Sequence, residues 1–254
     1  MEHEPQGQEF VAGEVFDEEY EYFYANRLGA ERSEREARLI ERLAELRRGE
    51  RVLDLPCGDG RISVQLARAS GNVVGVDRSE RLIARAERRG ATGARFEVGV
   101  MRALRWQAEF DCIVIWFGSF GYFDTHTNRR VLAVFWEALR PGGRLIIDQI
   151  NPAQVRRDVE GGRGAAVQLI DRGLDLMVDR VTVGDDCRAH TERFLVRDGR
   201  VRKLEFSLEL VADDKLERCL RDAGFDRVSF SDQHGGPYRA EGRRRITVAH
   251  RLPT

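Results

Sequence analysis

The run Arg51 to Gly60, RVLDLPCGDG, followed from Asn72 by NVVGVD ending on Asp77, restricts this chain more than any other stretch. A short apolar run, a loop with glycines at 58 and 60, a helical stretch and a second apolar run ending in a carboxylate describe the opening βαβ unit of a nucleotide-binding sheet. An aspartate at the carboxyl end of the second strand can accept hydrogen bonds from both hydroxyls of a ribose. Gly58 and Gly60 let backbone N–H groups come close to a ligand. Such an arrangement favours a ligand that carries adenosine.

The flanking segments extend this unit. Asp17 to Arg27 reads as a short helix crowded with Tyr20, Tyr22, Phe23 and Tyr24, after an aperiodic stretch over residues 1 to about 15. From Ser33 a helix places Ala37, Ile40, Leu43, Ala44 and Leu46 on one face. Helices are expected over Arg61 to Ala69 and from a Ser79 cap to about Arg89, with Gly90 as the stop. Ala94 to Val98 and Phe110 to Trp116 read as the third and fourth strands, Asn128 to Leu139 as a helix, and Arg144 to Ile150 as the fifth strand. The alternation predicts an α/β fold with a doubly wound, mostly parallel sheet. Between about Ala165 and Val211 the rhythm changes to antiparallel hairpins, after which a helix to about Ala223 and strands over Phe225 to Ser231 and Arg244 to Arg251 close the chain. The expected division is an acidic amino-terminal segment with cap helices over 1–50, a cofactor-binding core over 51–164, a β insertion over 165–211 acting as lid or homodimer interface, and a return to the core over 212–254.

Composition narrows the partners. The 42 basic and 43 acidic residues leave a net charge of −1, so no global field gathers nucleic acid or acidic membrane. Cys57, Cys112, Cys187 and Cys219 lack metal-ligand spacing and a disulfide pattern, which makes a reduced, cytoplasmic setting the expectation and gives no metal site. The amino terminus is acidic where a signal peptide is basic, and no apolar run approaches the ~20 residues of a membrane span.

The pattern Gly58-Asp59-Gly60-Arg61-Ile62-Ser63 meets only part of the dinucleotide fingerprint, because Ser63 stands where the third glycine belongs. With its LDLPCGDGR loop and VVGVDRS strand end, the sequence resembles the class I S-adenosylmethionine-dependent methyltransferases. SFGYF at 119 to 123, LRPGGRLIID at 139 to 148 and QHGGPY at 233 to 238 resemble the bacterial members that act on amino sugars and other natural products. The resemblance implies a Rossmann-like sheet of seven strands with the last antiparallel. It also implies S-adenosyl-L-methionine as cofactor and a methyl group passed to nitrogen or oxygen of a small-molecule acceptor.

Carried onto this chain, the resemblance implies cofactor contacts at Tyr24, Asp54, Pro56, Cys57, Gly58, Gly60, Asp77, Arg78, Val100, Met101, Trp116, Phe117 and Ser119. Val100 occupies the place where the family usually reads the adenine amino group with aspartate, so adenine recognition is expected from main chain around Met101. Asp148 and His234 are the candidates for a catalytic base, ahead of His126 and His190. Asn151-Pro152 invites comparison with DNA amino-methyltransferases, but it follows the fifth strand instead of the fourth and lacks the aromatic residue. The arginines at 243 to 245 form only a small cluster. An RNA or protein methyltransferase and a non-catalytic S-adenosylmethionine-binding regulator are the alternatives. A nicotinamide-dependent oxidoreductase conflicts with Ser63 and with the insertion.

Overall fold

The computed structural model describes residues 15–253, so the aperiodic amino terminus of the sequence reading lies outside the described residues but for its end. In chain order the elements are α1 (Glu18–Tyr24), α2 (Ala30–Leu43), β1 (Val52–Asp54), α3 (Ser63–Ser70), β2 (Val73–Asp77), α4 (Glu80–Arg89), β3 (Ala94–Val98), β4 (Phe110–Ile115), α5 (Thr125–Ala138) and β5 (Leu139–Ile150). They continue with α6 (Pro152–Gly161), β6 (Ala166–Arg172), β7 (Asp175–Val183), β8 (Arg188–Arg197), β9 (Arg200–Glu209), α7 (Asp213–Asp222), β10 (Val228–Ser231) and β11 (Arg244–His250). A seven-stranded sheet in the order β10-β11-β5-β4-β1-β2-β3 is parallel except where β11 runs against its neighbours, and β6 to β9 form a separate four-stranded antiparallel sheet. The doubly wound sheet and its antiparallel hairpins are thus as the sequence implied.

The strands alternate their side chains between two cores. Leu53, Ile113 and Ile115 meet Leu132 and Phe135 of α5 and Leu216 of α7 on one face, while Val52, Cys112 and Val114 meet Ile40 of α2 and Leu66 of α3 on the other. A strand covered on both faces needs apolar residues at successive positions, which is why FDCIVIW lacks a polar alternation. Because β1 and β4 are neighbours whose connections leave in opposite directions, a crevice opens at their carboxyl ends.

Several boundaries depart from expectation, with α2 starting at Ala30, β5 at Leu139 and β10 at Val228, and two helices depart for reasons visible in their caps. Asp124 caps α5 through the Thr127 N–H at 2.9 Å, so this helix starts three residues before Asn128. Asn151-Pro152 begins a helix, α6, that the sequence analysis did not place. Asn151 is fully buried, accepts from Ala153 N at 3.0 Å and donates Nδ2 to the carbonyls of Ala240 and Gly242 at 2.9 and 2.7 Å. Its amide is a structural fastener between the start of α6 and the loop before β11.

The insertion is fastened at both ends. Glu209, at the end of β9 and 5% exposed, accepts from Thr125 and Asn128 of α5 and from Lys215 of α7. On the opposite side Phe23 of α1 buries its ring among Ile170, Met177 and Leu195. Helix α1 is therefore a bridge, since its Glu21 also pairs with Arg81 and Arg85 of α4. Phe23→Ala should cost about 3–5 kcal/mol of this local packing. Hydrogen exchange is expected to accelerate in α1 and in β6 to β8 while β1, β4 and β5 keep their protection; uniform acceleration would mean that the two sheets unfold as one unit.

Candidate functional site

The loop after β1 is organised by two buried carboxylates. Asp54, 1% exposed, accepts the Ser63 hydroxyl at 2.6 Å. Burial pushes its carboxyl up to about 7, against the opposing pull of Ser63 and Arg61, and the neighbouring Asp77 adds to the rise. Ser63, read from sequence only as a missing glycine, is thus the residue that fastens the start of α3 to the end of β1. Asp77 accepts from Gly58 N at 3.0 Å through one oxygen and from Ser79 N at 2.9 Å through the other. Burial raises its pKa while these N–H groups lower it. A carboxylate oxygen has two acceptor directions, so Asp77 retains one on each oxygen for a pair of hydroxyls.

The two loop glycines have different reasons for being glycine. A side chain at Gly58, where φ is +57°, would meet open space, so its backbone faces the crevice. At Gly60 a Cβ would come within 2.9 Å of Ala86 and Phe96, and the Gly60 N–H donates to Cys57 O at 3.1 Å. Gly60 therefore serves packing of the loop on α4 and β3. The Cys57 thiol is packed and burial pushes its pKa up, while Pro56 is half-buried and Arg78 exposed at the rim.

Beside Asp77 the wall is apolar. Val98, its register partner on β3, is 55% exposed, Val100 is 38% exposed and Met101 is half-buried. Valines left open next to a ribose-sized carboxylate site form a surface suited to a flat heterocycle.

The loop after β4 forms the opposite wall. Phe117 sits at φ +61°, a region that non-glycine residues seldom occupy, and is held there by its N–H donating to Asp148 Oδ2 at 2.9 Å. Gly118 N donates to the Asp148 carbonyl at 3.0 Å, and the Ser119 hydroxyl to Trp116 O at 2.9 Å. Trp116 is 5% exposed. Around the Phe117 ring stand the guanidiniums of Arg32, Arg61 and Arg244 at 5.1, 5.2 and 6.0 Å from its centroid. Glu36 pairs with both Arg32 and Arg61, and Asp148 with Arg244. Three cations share two carboxylates, so the wall carries one positive charge for which a ligand anion is the natural counterpart.

Aromatic rings continue from Phe117 towards the four-stranded sheet. Tyr24 meets Phe117 edge-on at 6.1 Å and stacks on Tyr20 at 4.3 Å; Phe16 stands edge-on to Tyr20 at 5.0 Å and to Tyr122 at 5.6 Å. Tyr122 leans on Phe206 of β9, whose ring lies beneath the Arg193 guanidinium at 5.0 Å. Arg193 is 4% exposed and grips Asp179 with Nε and Nη2 at 2.7 and 2.8 Å. Burial pushes the Tyr122 phenol up to about 12 and raises Tyr20 and Tyr24 as well, so all three remain protonated near neutral pH. Nothing in the sequence signalled Arg32, Arg61, Arg193, Phe206 or Arg244 as parts of this wall.

Neither candidate base stands open in the crevice. Asp148, 4% exposed, is held by both Nε and Nη2 of Arg244 as well as by Phe117 N, which makes it a positioning group. His234 is exposed, and its carbonyl accepts from Arg42 at 2.6 Å. Arg42 lies nine residues along α2 from the Ser33 end that faces the crevice, about 13 Å at the helical rise. His126 and His190 are exposed too, the latter paired with Asp186 at 3.0 Å. Among the described residues no group of three or more His, Cys, Asp or Glu is placed to hold a metal.

Comparison with known proteins agrees with this geometry. Residues 52–143 match the family model described as a methyltransferase domain. The chain is 28% identical over 204 residues to the glycine/sarcosine N-methyltransferase of Halorhodospira halochloris, an alignment covering 74% of this chain and 70% of the relative. Its fold is shared with the CcbJ methyltransferase of Streptomyces caelestis, at TM-score 0.72 and 17% identity over 87% of this chain and 90% of that one. It is also shared with the sugar N-methyltransferase KedS8 from a Streptoalloteichus species, at TM-score 0.63 and 24% identity over 99% and 100%.

Two substitutions test the adenosine end. Asp77→Ala should weaken S-adenosylhomocysteine binding at least tenfold in calorimetry, since two hydrogen bonds to a charged acceptor are lost at about 1.5–3 kcal/mol each. Val100→Asp should tighten it by about 2- to 10-fold by returning an acceptor to the heterocycle's edge. Unchanged affinity in Asp77→Ala would place the ribose elsewhere.

Proposed function

We propose that this chain, an S-adenosylmethionine-dependent methyltransferase, transfers its methyl group to the uncharged amine nitrogen of a small polar molecule. One observation carries the choice of nitrogen: among the described residues, the ionisable groups around the crevice are already committed. Asp54 is tied to Ser63, Glu36 to Arg32 and Arg61, Asp148 to Arg244, and Asp179 to Arg193. The phenols of Tyr20, Tyr24 and Tyr122 hold their protons too tightly to act as bases. A hydroxyl acceptor needs a base to become a good nucleophile, whereas an amine that arrives neutral presents a lone pair and sheds its proton afterwards to water. The relatives named as glycine/sarcosine and sugar N-methyltransferases favour the same choice.

In this reading Asp77 holds the ribose hydroxyls, the Gly58 backbone lies along the sugar, and Val98, Val100 and Met101 flank the adenine. Arg32 and Arg61, with one charge in excess over Glu36, face the carboxylate of the amino-acid tail. When bound, S-adenosylmethionine supplies a methyl group on a sulfonium, an electrophile that requires no covalent intermediate with the protein. Tyr20, Tyr24, Tyr122 and Phe206 wall the acceptor, exclude water and fix its approach in line with the methyl group. Orientation of this kind is worth up to about 7–11 kcal/mol of the barrier.

The same reading makes the four-stranded sheet a roof over the crevice whose outer face, with Val167, Leu169 and Val201 open to solvent, joins a second copy in a homodimer. It places the enzyme in the cytoplasm, with its four cysteines free. Nucleic acid is not the substrate, since Arg244 and Arg245 of the small arginine cluster are spent on Asp148 and Asp213. No described helix is long and apolar enough to cross a membrane.

Transfer of labelled methyl to matched amine and hydroxyl analogues tests the proposal. Only the amines should react, with kcat/KM rising tenfold per pH unit up to the amine's own pKa and levelling there. Tyr122→Phe and His234→Gln should leave that profile in place. Comparable rates on the hydroxyl analogue, or a limb that moves with either variant, would overturn the assignment.

A further inference from the structure

At the amino edge of the large sheet, opposite the crevice, lies a hollow of about 230 Å³. It is lined by Glu45, Arg47 and Glu50 from the turn after α2, Arg144 of β5, Arg227 just before β10, and His250 at the end of β11. Its floor is rigid. Arg144 is 6% exposed and its donors are all engaged, by the carboxylate of Glu50 and by the carbonyls of Ala44, Glu45 and Asp111. Glu50 thereby neutralises Arg144, and the charge of Arg47 acts on it from the rim.

The rim is different. Arg47 and Arg227 have no carboxylate within ion-pair distance among the described residues, and neither guanidinium donates a hydrogen bond there. The His250 ring faces the same space, half-buried, with burial, Arg227 and Arg144 all working against its protonation and only Glu45 favouring it. Three guanidiniums against Glu45 and Glu50 leave one positive charge with His250 neutral, and two with it charged.

We propose that this hollow binds a small phosphate-type oxyanion between Arg47 and Arg227, with His250 as a further donor. Two unpaired guanidinium forks on separate elements suit a tetrahedral oxyanion better than a single carboxylate, because each fork can take two oxygens. The volume admits such an ion or the head of a phosphomonoester and falls short of the 300 Å³ or more typical of larger organic ligands. The site is independent of the methyl-transfer centre: along β5, Arg144 is four residues from Asp148, about 13 Å at the strand rise. An anion here offsets the repulsion that Arg227 and Arg144 exert on His250, so His250 gains its proton as the ion enters and binding tightens as pH falls. Bridging the end of α2 to the β10–β11 edge, the ion also raises the melting temperature by mass action.

Sulfate is the probe for the pH dependence, since its charge does not change between pH 5.5 and 8. At constant ionic strength in chloride, calorimetry and thermal shift on the full chain should show saturable sulfate binding, at least fivefold tighter at pH 5.5 than at pH 8. The double variant Arg47→Gln/Arg227→Gln should melt near the wild type in chloride alone and bind sulfate at least tenfold more weakly. His250→Gln should retain binding while losing most of its pH dependence. Inorganic phosphate and glycerol phosphate at pH 8 identify the source: tighter binding of the ester assigns the hollow to a phosphomonoester, and tighter binding of phosphate to the free ion. Absence of saturable binding below 10 mM, sulfate affinity unchanged in the double variant, or chloride acting as well as sulfate would each overturn the proposal.

Discussion

The crevice depends on one buried carboxylate. Asp148 at the end of β5 binds Phe117 N, and through its own backbone carbonyl Gly118 N, so it sets the loop after β4 in a left-handed turn. It also aligns Arg244 beside the Phe117 ring, to which Tyr24 is packed edge-on. A buried ion pair is weak evidence for stability, but removing one partner strands the other charge, at about 3–5 kcal/mol. Here the stranded group would be Arg244, and the loop would lose the anchor that opposes the cost of a positive φ at Phe117.

Such a knot forms because β11 runs against β5 in one register. Arg244 stands opposite Ile150, Arg245 opposite Gln149 and Ile246 opposite Asp148, and successive residues point to opposite faces. Arg244 therefore reaches the crevice, whereas Arg245, fully buried, turns to the other side and meets Gln149, Asp213 and the Val211 carbonyl. Two adjacent arginines that look in the sequence like a basic cluster are two separate fasteners. Other arginines act in the same way: Arg81 and Arg85 hold Glu21, and Arg202 holds Asp17 and Glu19, so α1 is moored on both sides by charge.

What could be read from the sequence follows from distance along the chain. The β1 loop and Asp77 were legible because strand, turn and carboxylate lie within 26 residues and each is a local choice of residue type. The antiparallel insertion was legible from its turn dipeptides and alternation. Helix α6 was missed because its cap, Asn151, takes its partners from Ala240 and Gly242, some ninety residues away, and a lone Asn-Pro pair fits a turn equally well. Tyr20, Tyr24 and Phe117 of the aromatic wall were legible, but the part from the four-stranded sheet escaped, since Phe206 and Arg193 reach it only through the pairing of β7, β8 and β9. The position of His234 was not legible, because the glycine-rich loop after β10 folds back along α2 to Arg42, a contact 192 residues apart in the chain.

The way charge is spent also bears on the chemistry. In the proposed methyl transfer from a sulfonium to a neutral amine, positive charge moves from sulfur to nitrogen and none is created. The enzyme therefore gains little from a strong new field and much from excluding water and fixing an angle. A site whose carboxylates are each held by an arginine, a serine or backbone N–H groups, and whose phenols stay neutral, presents a rigid and electrically quiet wall to that event. A free base placed there would offer an alternative nucleophile to the methyl group and a proton acceptor the amine does not need. On that proposal the committed side chains around Phe117 are as much a part of the selectivity as the aromatic rings that shape the opening.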